Sequence, residues 1–324
     1  MPNFFIIGNG FDLAHNMKTR FNDFRDYLYF NYPEEMDDIL YVPEPGTGQH
    51  GEDLLDEAEV AGFIVYLLNK VAPNDKCSHL RHDWSQIEEL LGKLDLKKCF
   101  DCVKPQYDQE GDRNYFWEKE VADSICANMG LAISQLTDLL SEWIRRVEIA
   151  KSPIKQFQEI IDPEKDLFLT FNYTRTLEKI YGCAKANVCH IHGAVTDDFY
   201  QDEKLILGHC GSVNYLCDKN VPYEMENGLQ EIYEELRKNT TKQIHLHADF
   251  FEKIKNTNIE KIYSFDFSFS TVDLPYLQRV CSLIDTKQIS WGLNTYDNAS
   301  QRLVYINTVK GLGFQGNFFT YSIH

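Results

Sequence analysis

The run Phe4-Phe5-Ile6-Ile7, followed at once by Gly8-Asn9-Gly10, constrains this chain more than any other feature. Four apolar residues without alternation read as a strand buried on both faces, the pattern of a sheet covered by helices on either side. The glycines close that strand in a tight turn, with a positive φ as the simplest reason for them. From Thr19, a candidate N-cap, Phe21, Phe24 and Leu28 fall at helical spacing. Strand, turn and helix therefore open the fold.

Residues 33–52 carry Pro33, Pro43, Pro45 and several glycines and read as a surface loop. Helical stripes follow at Leu54, Ala58, Ala61, Val65 and Leu68, then at Trp84, Ile87, Leu91 and Leu94. The clearest stripe runs from Ile125 through Met129, Ile133, Leu136, Leu140 and Trp143 to Val147. Strand signals return at 167–171, 188–191, 205–207, 262–269, 289–291 and Leu303-Val304-Tyr305-Ile306, with helical stretches between most of them. Alternation of this kind predicts an α/β fold with a mostly parallel, Rossmann-like sheet and a long helical insertion after the first strand. The expected organisation is one α/β domain over residues 1–324, with residues 20–160 as the insertion.

A chain of 324 residues can bury a full core, and 43% hydrophobic with 25% charged residues is ordinary globular usage. The net charge of -18 repels polyanions, so generic DNA binding is not expected. One small anionic nucleotide remains compatible, because backbone N–H groups at a helix start can hold a pyrophosphate. Nine cysteines and an opening Met1-Pro2-Asn3 without a secretion signal point to reduced thiols in the cytoplasm. No apolar run approaches the ~20 residues that span a bilayer, so no membrane partner is expected.

Gly8-Asn9-Gly10-Phe11-Asp12 supplies only the first half of a dinucleotide fingerprint, since Leu13 stands where a third glycine would fall. The longer string from Ile7 to His15, with Thr19 and Asp23-Phe24 after it, resembles the N-terminal signature of the phage abortive-infection AbiH family. Trp84 with Glu88, Phe171-Asn172-Tyr173-Thr174 with Glu178, His190-Ile191-His192-Gly193, Leu207-Gly208-His209, and Ser268 with Asp273 and Tyr276 follow in the family's order. Two departures stand out. Asn16-Met17-Lys18 sits where the family more often has Gly-Leu-Pro, and Asp266-Phe267-Ser268 sits where it commonly has Gly-His-Ser. More distantly, the order glycine turn, Thr170-Phe171-Asn172-Tyr173 and His192-Gly193 is similar to sirtuin-like NAD-consuming enzymes, at the level of fold analogy.

These resemblances imply a phage-defence protein that binds a small nucleotide and hydrolyses NAD at the nicotinamide–ribose bond, answering a phage-derived trigger and restrained by a homo-oligomer or by the insertion. Asn172 and His192 are the catalytic candidates. The Asn172 amide offers donors and an acceptor to ribose or water, and His192 a base near neutrality. Gly8, Asn9, Gly10, Phe11, Asp12, Thr170, Tyr173, Gly193 and Ser268 are the expected nucleotide contacts. Plainer readings stand beside these: Asn172 as a turn residue with Thr174 capping the next helix, His192 as a packed histidine, Asp12 and Asp273 as helix caps, and Glu88 as a boundary carboxylate. A non-catalytic nucleotide sensor acting through a partner, and an RNA-directed nuclease, are the competing functions.

No metal is expected. His190 and His192 point to one side of their strand, and His245 and His247 share that spacing near Asp249, but neither pair has an identifiable third ligand. Cys99-x-x-Cys102 lacks a second pair and reads as structural.

Overall fold

The computed structural model describes residues 1–33, 40–48, 53–72, 84–101, 103–197, 203–211 and 223–323. Parts of the expected 33–52 loop, and Cys102, lie outside the described residues. The chain divides into two compact units. Met1–Arg20, Ser141–Ile206 and Asn239–His324 form the first, and Phe21–Leu140 with Leu207–Lys238 form the second.

The first unit holds a six-stranded parallel sheet. Its strands are β1 (Phe4–Ile7), β4 (Leu167–Thr170), β5 (Val188–His190), β6 (Lys261–Phe265), β7 (Ser290–Asn294) and β8 (Asn317–Tyr321), in the order β5-β4-β1-β6-β7-β8. β2 (Gly46–Thr47) and β3 (Asp53–Leu54) are a two-residue antiparallel pair in the second unit. Counting sheet strands along the chain gives 3-2-1-4-5-6, the doubly wound order whose ligand crevice lies where the winding reverses. That reversal falls at β1, which pairs with β4 through Phe4↔Leu167 and with β6 through Phe4↔Ile262.

All four β1 side chains are fully buried, on alternating faces. Phe4 and Ile6 join Leu169, Trp291, Tyr276, Leu277, Phe251 and Ile254 in one core. Phe5 and Ile7 join Phe168, Tyr263, Phe11, Phe157, Leu177 and Tyr181 in the other. Phe5 is stacked between Phe168 and Tyr263, with ring centroids at 5.2 and 5.0 Å. Helices Leu274–Leu283 and Ala248–Asn256 supply the first layer, and Lys155–Ile160 and Thr176–Tyr181 the second. Unbroken hydrophobicity of β1 thus has its cause in two helical coats.

The second unit is helical apart from that short pair, with Phe21–Asn31, Glu57–Val71, Trp84–Leu91, most of Tyr115–Arg146 and Tyr223–Glu235. The long stripe from Ile125 to Val147 breaks at Gln135 into two helices, Tyr115–Ser134 and Leu136–Arg146. Among the described residues no helix is long and apolar enough to cross a membrane.

Three strand expectations need correction. Leu303-Val304-Tyr305-Ile306 lies inside the helix Ala299–Gly311, where the Asn298 side chain accepts from the Gln301 N–H at 2.9 Å. Tyr305, Ile306 and Val309 face the core at helical spacing, leaving Leu303 and Val304 58% and 55% exposed. Residues 205–207 form no strand; Ile206 N donates to His192 O alone. The 262–269 run stops at Phe265, because Asp266 and Phe269 take φ of 44° and 53°. The edge strand β8 had no counterpart in the sequence reading. Leu54 also falls outside its helix and is exposed.

Trp291 fills the first core with no exposed surface, so Trp291→Ala should lower unfolding free energy by about 3–5 kcal/mol. Leu303→Gln, on the outer face of its helix, should change it by less than about 0.5 kcal/mol. Urea unfolding of both variants checks the assignment. A large loss for Leu303→Gln would return that segment to a buried strand.

Candidate functional site

The carboxyl ends of β1, β4, β5 and β6 gather most of the residues singled out by motif. Asp12, in the short helix Gly10–Ala14 that follows the glycine turn, is buried and caps nothing of its own. It reaches instead across to the chain after β4. Thr174 Oγ1 donates to its Oδ2 at 2.5 Å and Thr176 Oγ1 to its Oδ1 at 2.8 Å. Thr174 is therefore not the cap of helix Thr176–Tyr181; Arg175 holds that position without a side-chain cap bond. A carboxylate with no water nearby recruits both hydroxyls, which outweighs one capping bond. Burial raises the Asp12 carboxyl above its ordinary value, while the two threonines, His15 and nearby Asn172 favour its charge. His15 is itself held between Phe11 O and Tyr181 Oη, each at 2.7 Å.

Asn172 sits two residues beyond β4 with its N–H on Thr170 Oγ1 at 3.2 Å. Its side chain is buried, yet neither the amide nitrogen nor the amide oxygen makes a well-formed hydrogen bond. A buried amide in that state costs about 1–3 kcal/mol for each unsatisfied group. Native structures carry few such groups, and a working role is among the reasons for one.

The two histidines of the His-x-His block diverge, because β5 ends at His190 and strand alternation ends with it. His190 Nδ1 faces Asn172 O at 3.0 Å and Nε2 faces Glu178 Oε1 at 3.1 Å. His192 turns to Asp273, with Nε2 at 3.3 Å from Oδ1, and sits edge-on to Phe171 and Tyr276. Asp273 does occupy the N-cap position of Leu274–Leu283, with Pro275 in the first turn, but its carboxylate makes no cap bond. The imidazole takes it instead. Phe171, Phe267 and Tyr276 form the aromatic wall beside this pair.

The glycine turn is closed by the protein itself. A Cβ on Gly8 would lie 2.3 Å from Asp266 O, and one on Gly10 2.3 Å from Asp266 Cβ and 2.7 Å from its Oδ2. Neither glycine has a positive φ, so the reason for them is close approach and not backbone handedness. Asn9 Nδ2 reaches forward to Thr19 O at 3.0 Å. Phe11 is a core residue between Phe157, Phe265 and Tyr181. Tyr173 Oη donates to Ile206 O at 2.9 Å. Gly193, with φ 79°, packs where a Cβ would meet Lys204 O at 2.6 Å. Ser268 is exposed, three residues past the end of β6. Asn172, Thr170, Asp12 and His190 thus converge, with His192 and Asp273 beside them, while Phe11 and Ser268 stand apart.

Sequence reasoning passed over Thr176, Glu178 and His190 as working groups, and read Asp273 as a cap. Glu178 was marked only as part of the Asn172 block, since its partner His190 is set by strand pairing. Glu88, by contrast, belongs to the second unit, where Lys238 Nζ lies 2.6 Å from its Oε1 with neither side chain open to water. In the same unit, His209 is held between the Tyr233 carbonyl and the Gly211 N–H. Among the described residues no group of three or more His, Cys, Asp or Glu is arranged to hold a metal ion.

A family model described as bacteriophage abortive infection AbiH matches residues 4–295. No curated protein and no solved structure matches the chain. The two departures from the family pattern now have a physical content. Asn16 and Asp266, at the positions where glycine is more usual, take left-handed φ of 59° and 44°, conformations that Asn and Asp tolerate best after glycine. Phe267, in place of histidine, is buried against Phe171.

Because burial raises the Asp12 carboxyl, the folded chain holds its proton to higher pH than the unfolded one. The associated stability is complete below the ordinary value of 3.8 and is lost as pH rises through the folded value. Asp12→Asn removes that loss. Melting curves between about pH 4 and about pH 8 should show the variant gaining on the parent as pH rises; parallel curves would contradict a strained buried carboxyl.

Proposed function

We propose that this chain, which belongs to the bacteriophage abortive infection AbiH family and so serves phage defence, binds a nucleotide beyond the carboxyl ends of β4 and β5 and hydrolyses NAD there. The observation that carries this reading is the Asn172 amide, buried, in no well-formed hydrogen bond, and close enough to the Asp12 carboxyl to favour its charge. It offers two donors and an acceptor to a ribose diol or to an attacking water.

In the reaction the C1′–nitrogen bond of the nicotinamide riboside breaks, and its electron pair returns to the pyridinium ring, which leaves neutral. Water adds its oxygen to C1′, and the released proton passes to His192. Asp273, 3.3 Å from Nε2, fixes the ring and steadies the imidazolium that results. The apolar wall of Phe171, Phe267 and Tyr276 limits the water that reaches this point. Asn172 and His192 are 5% and 3% exposed. Such burial suits an activity held silent until a trigger opens the site, as an enzyme that destroys a host cofactor requires. It equally suits a sensor that closes on its nucleotide without turnover, and that is the second reading.

The deciding assay is nicotinamide release from NAD by purified protein, alone and with lysate of phage-infected cells. His192→Ala should slow release by about 100-fold or more, and Asn172→Ala should abolish detectable turnover while the fold survives. Saturable nucleotide binding without release under any condition would establish the sensor and overturn the hydrolase.

A further inference from the structure

A cavity of about 350 Å³ opens beside the edge strand β5, between helix Thr176–Tyr181 and the chain at Leu246–Lys253. Its volume lies in the range of roughly 300–1,000 Å³ typical of small-ligand sites. Neither Asn172 nor His192 lines it, but His190 does. That ring reaches from the cavity wall to the main-chain carbonyl of Asn172, at 3.0 Å.

The charges of the lining are unequal in their availability. Burial opposes the Glu178 charge, but His190 and Arg175 hold its carboxyl down to about 2. Its charge is therefore spent within the wall. Arg175 uses Nε on that carboxylate at 3.0 Å, which keeps its two terminal amino groups for a ligand. Lys253 ties the Ala186 carbonyl and Asn187 Oδ1 together at the far side, and Lys185 stands exposed on the rim. Glu203 and Asp249 are rim carboxylates open to water. Burial lowers the His247 imidazole below its ordinary value, against the opposing pull of Glu203. In a chain of net charge -18, the lining sets three strong bases, Arg175, Lys185 and Lys253, against three carboxylates, of which Glu178 is paired inside the wall and Glu203 and Asp249 stand on the rim.

The glycine turn offers the opposite. Its open side is taken by Asp266, whose Oδ2 would stand 2.7 Å from a Cβ on Gly10, so a phosphate there would face a carboxylate.

We infer that the cavity beside β5, and not the glycine turn, takes the phosphate groups of the nucleotide, with Arg175 and Lys185 as their donors. This inference rests on the nucleotide reading given above. The class of ligand it selects carries singly charged phosphodiester or pyrophosphate oxygens, because Arg175 recognises paired oxygens in a plane while Glu203 and Asp249 penalise higher charge. The sugar next to the phosphates then passes His190 towards Asn172.

Titration calorimetry of the full chain with ADP-ribose and with inorganic pyrophosphate tests it, using Arg175→Gln and Lys185→Gln. We expect ADP-ribose affinity to fall by about tenfold or more in Arg175→Gln, as loss of one charge-assisted bond implies, and several-fold in Lys185→Gln. Pyrophosphate, which carries more charge, should compete with ADP-ribose in the parent protein only at higher concentration. Lys185 is exposed, so its variant decides the question if Arg175→Gln fails to fold. ADP-ribose binding unchanged in the folded variants would overturn the cavity as phosphate site and leave the nucleotide reading standing. Arg175-dependent pyrophosphate binding without any ADP-ribose binding would keep the cavity and remove the nucleotide. Binding of neither ligand to the parent protein would overturn the inference outright.

Discussion

β1 is packed from both sides at once, and the first unit is arranged around that requirement. Phe4 and Ile6 press on one helical layer while Phe5 and Ile7 press on the other, and all four are removed from water. At roughly 1.5–3 kcal/mol for each fully buried large side chain, four residues anchor both cores. Their hydrogen bonds to β4 and β6 fix the point where the winding reverses. Whatever follows β1, β4 and β6 in the chain is then brought together at one end of the sheet, whatever its distance in sequence.

The chemistry at that end depends on competition for a few polar partners. Asp12 draws Thr174 and Thr176 away from capping. Asp273 gives its cap position to His192, and His190 is divided between a carbonyl and Glu178. After these pairings the Asn172 amide is left over, buried and unsatisfied. Several buried polar atoms stay unsatisfied here, Glu178 Oε2 and the two amide atoms of Asn172 among them, and groups in that state call for a reason outside the core's own stability.

Much of this was legible in the sequence. β1, β4, β5, β6 and the start of β7 announced themselves as short apolar runs ended by turn residues, and the family blocks already pointed to Asn172 and His192. Where the reading failed, the missing information was tertiary. Leu303 to Ile306 looks like a strand because β-branched and apolar residues crowd together, and only packing shows that Tyr305, Ile306 and Val309 are the inner face of a helix. β8 is partly exposed along its length, so its sequence carries no continuous apolar signal. Asp273 before Leu274-Pro275 satisfies every local rule for a cap, and the histidine that claims it lies eighty-one residues earlier, just past the end of β5. The glycine turn misled for a related reason: proximity to Asp266 is invisible from either segment alone.

The most direct test of a ligand site at Asn172 is its own side-chain amide, followed by NMR in protein selectively labelled on asparagine while ADP-ribose is added. We expect the Asn172 amide resonance to shift and saturate, with the Asn294 amide, tied to Ile323 O inside the same unit, unchanged. Saturating ligand that leaves the Asn172 resonance where it began would contradict a nucleotide site built on that residue.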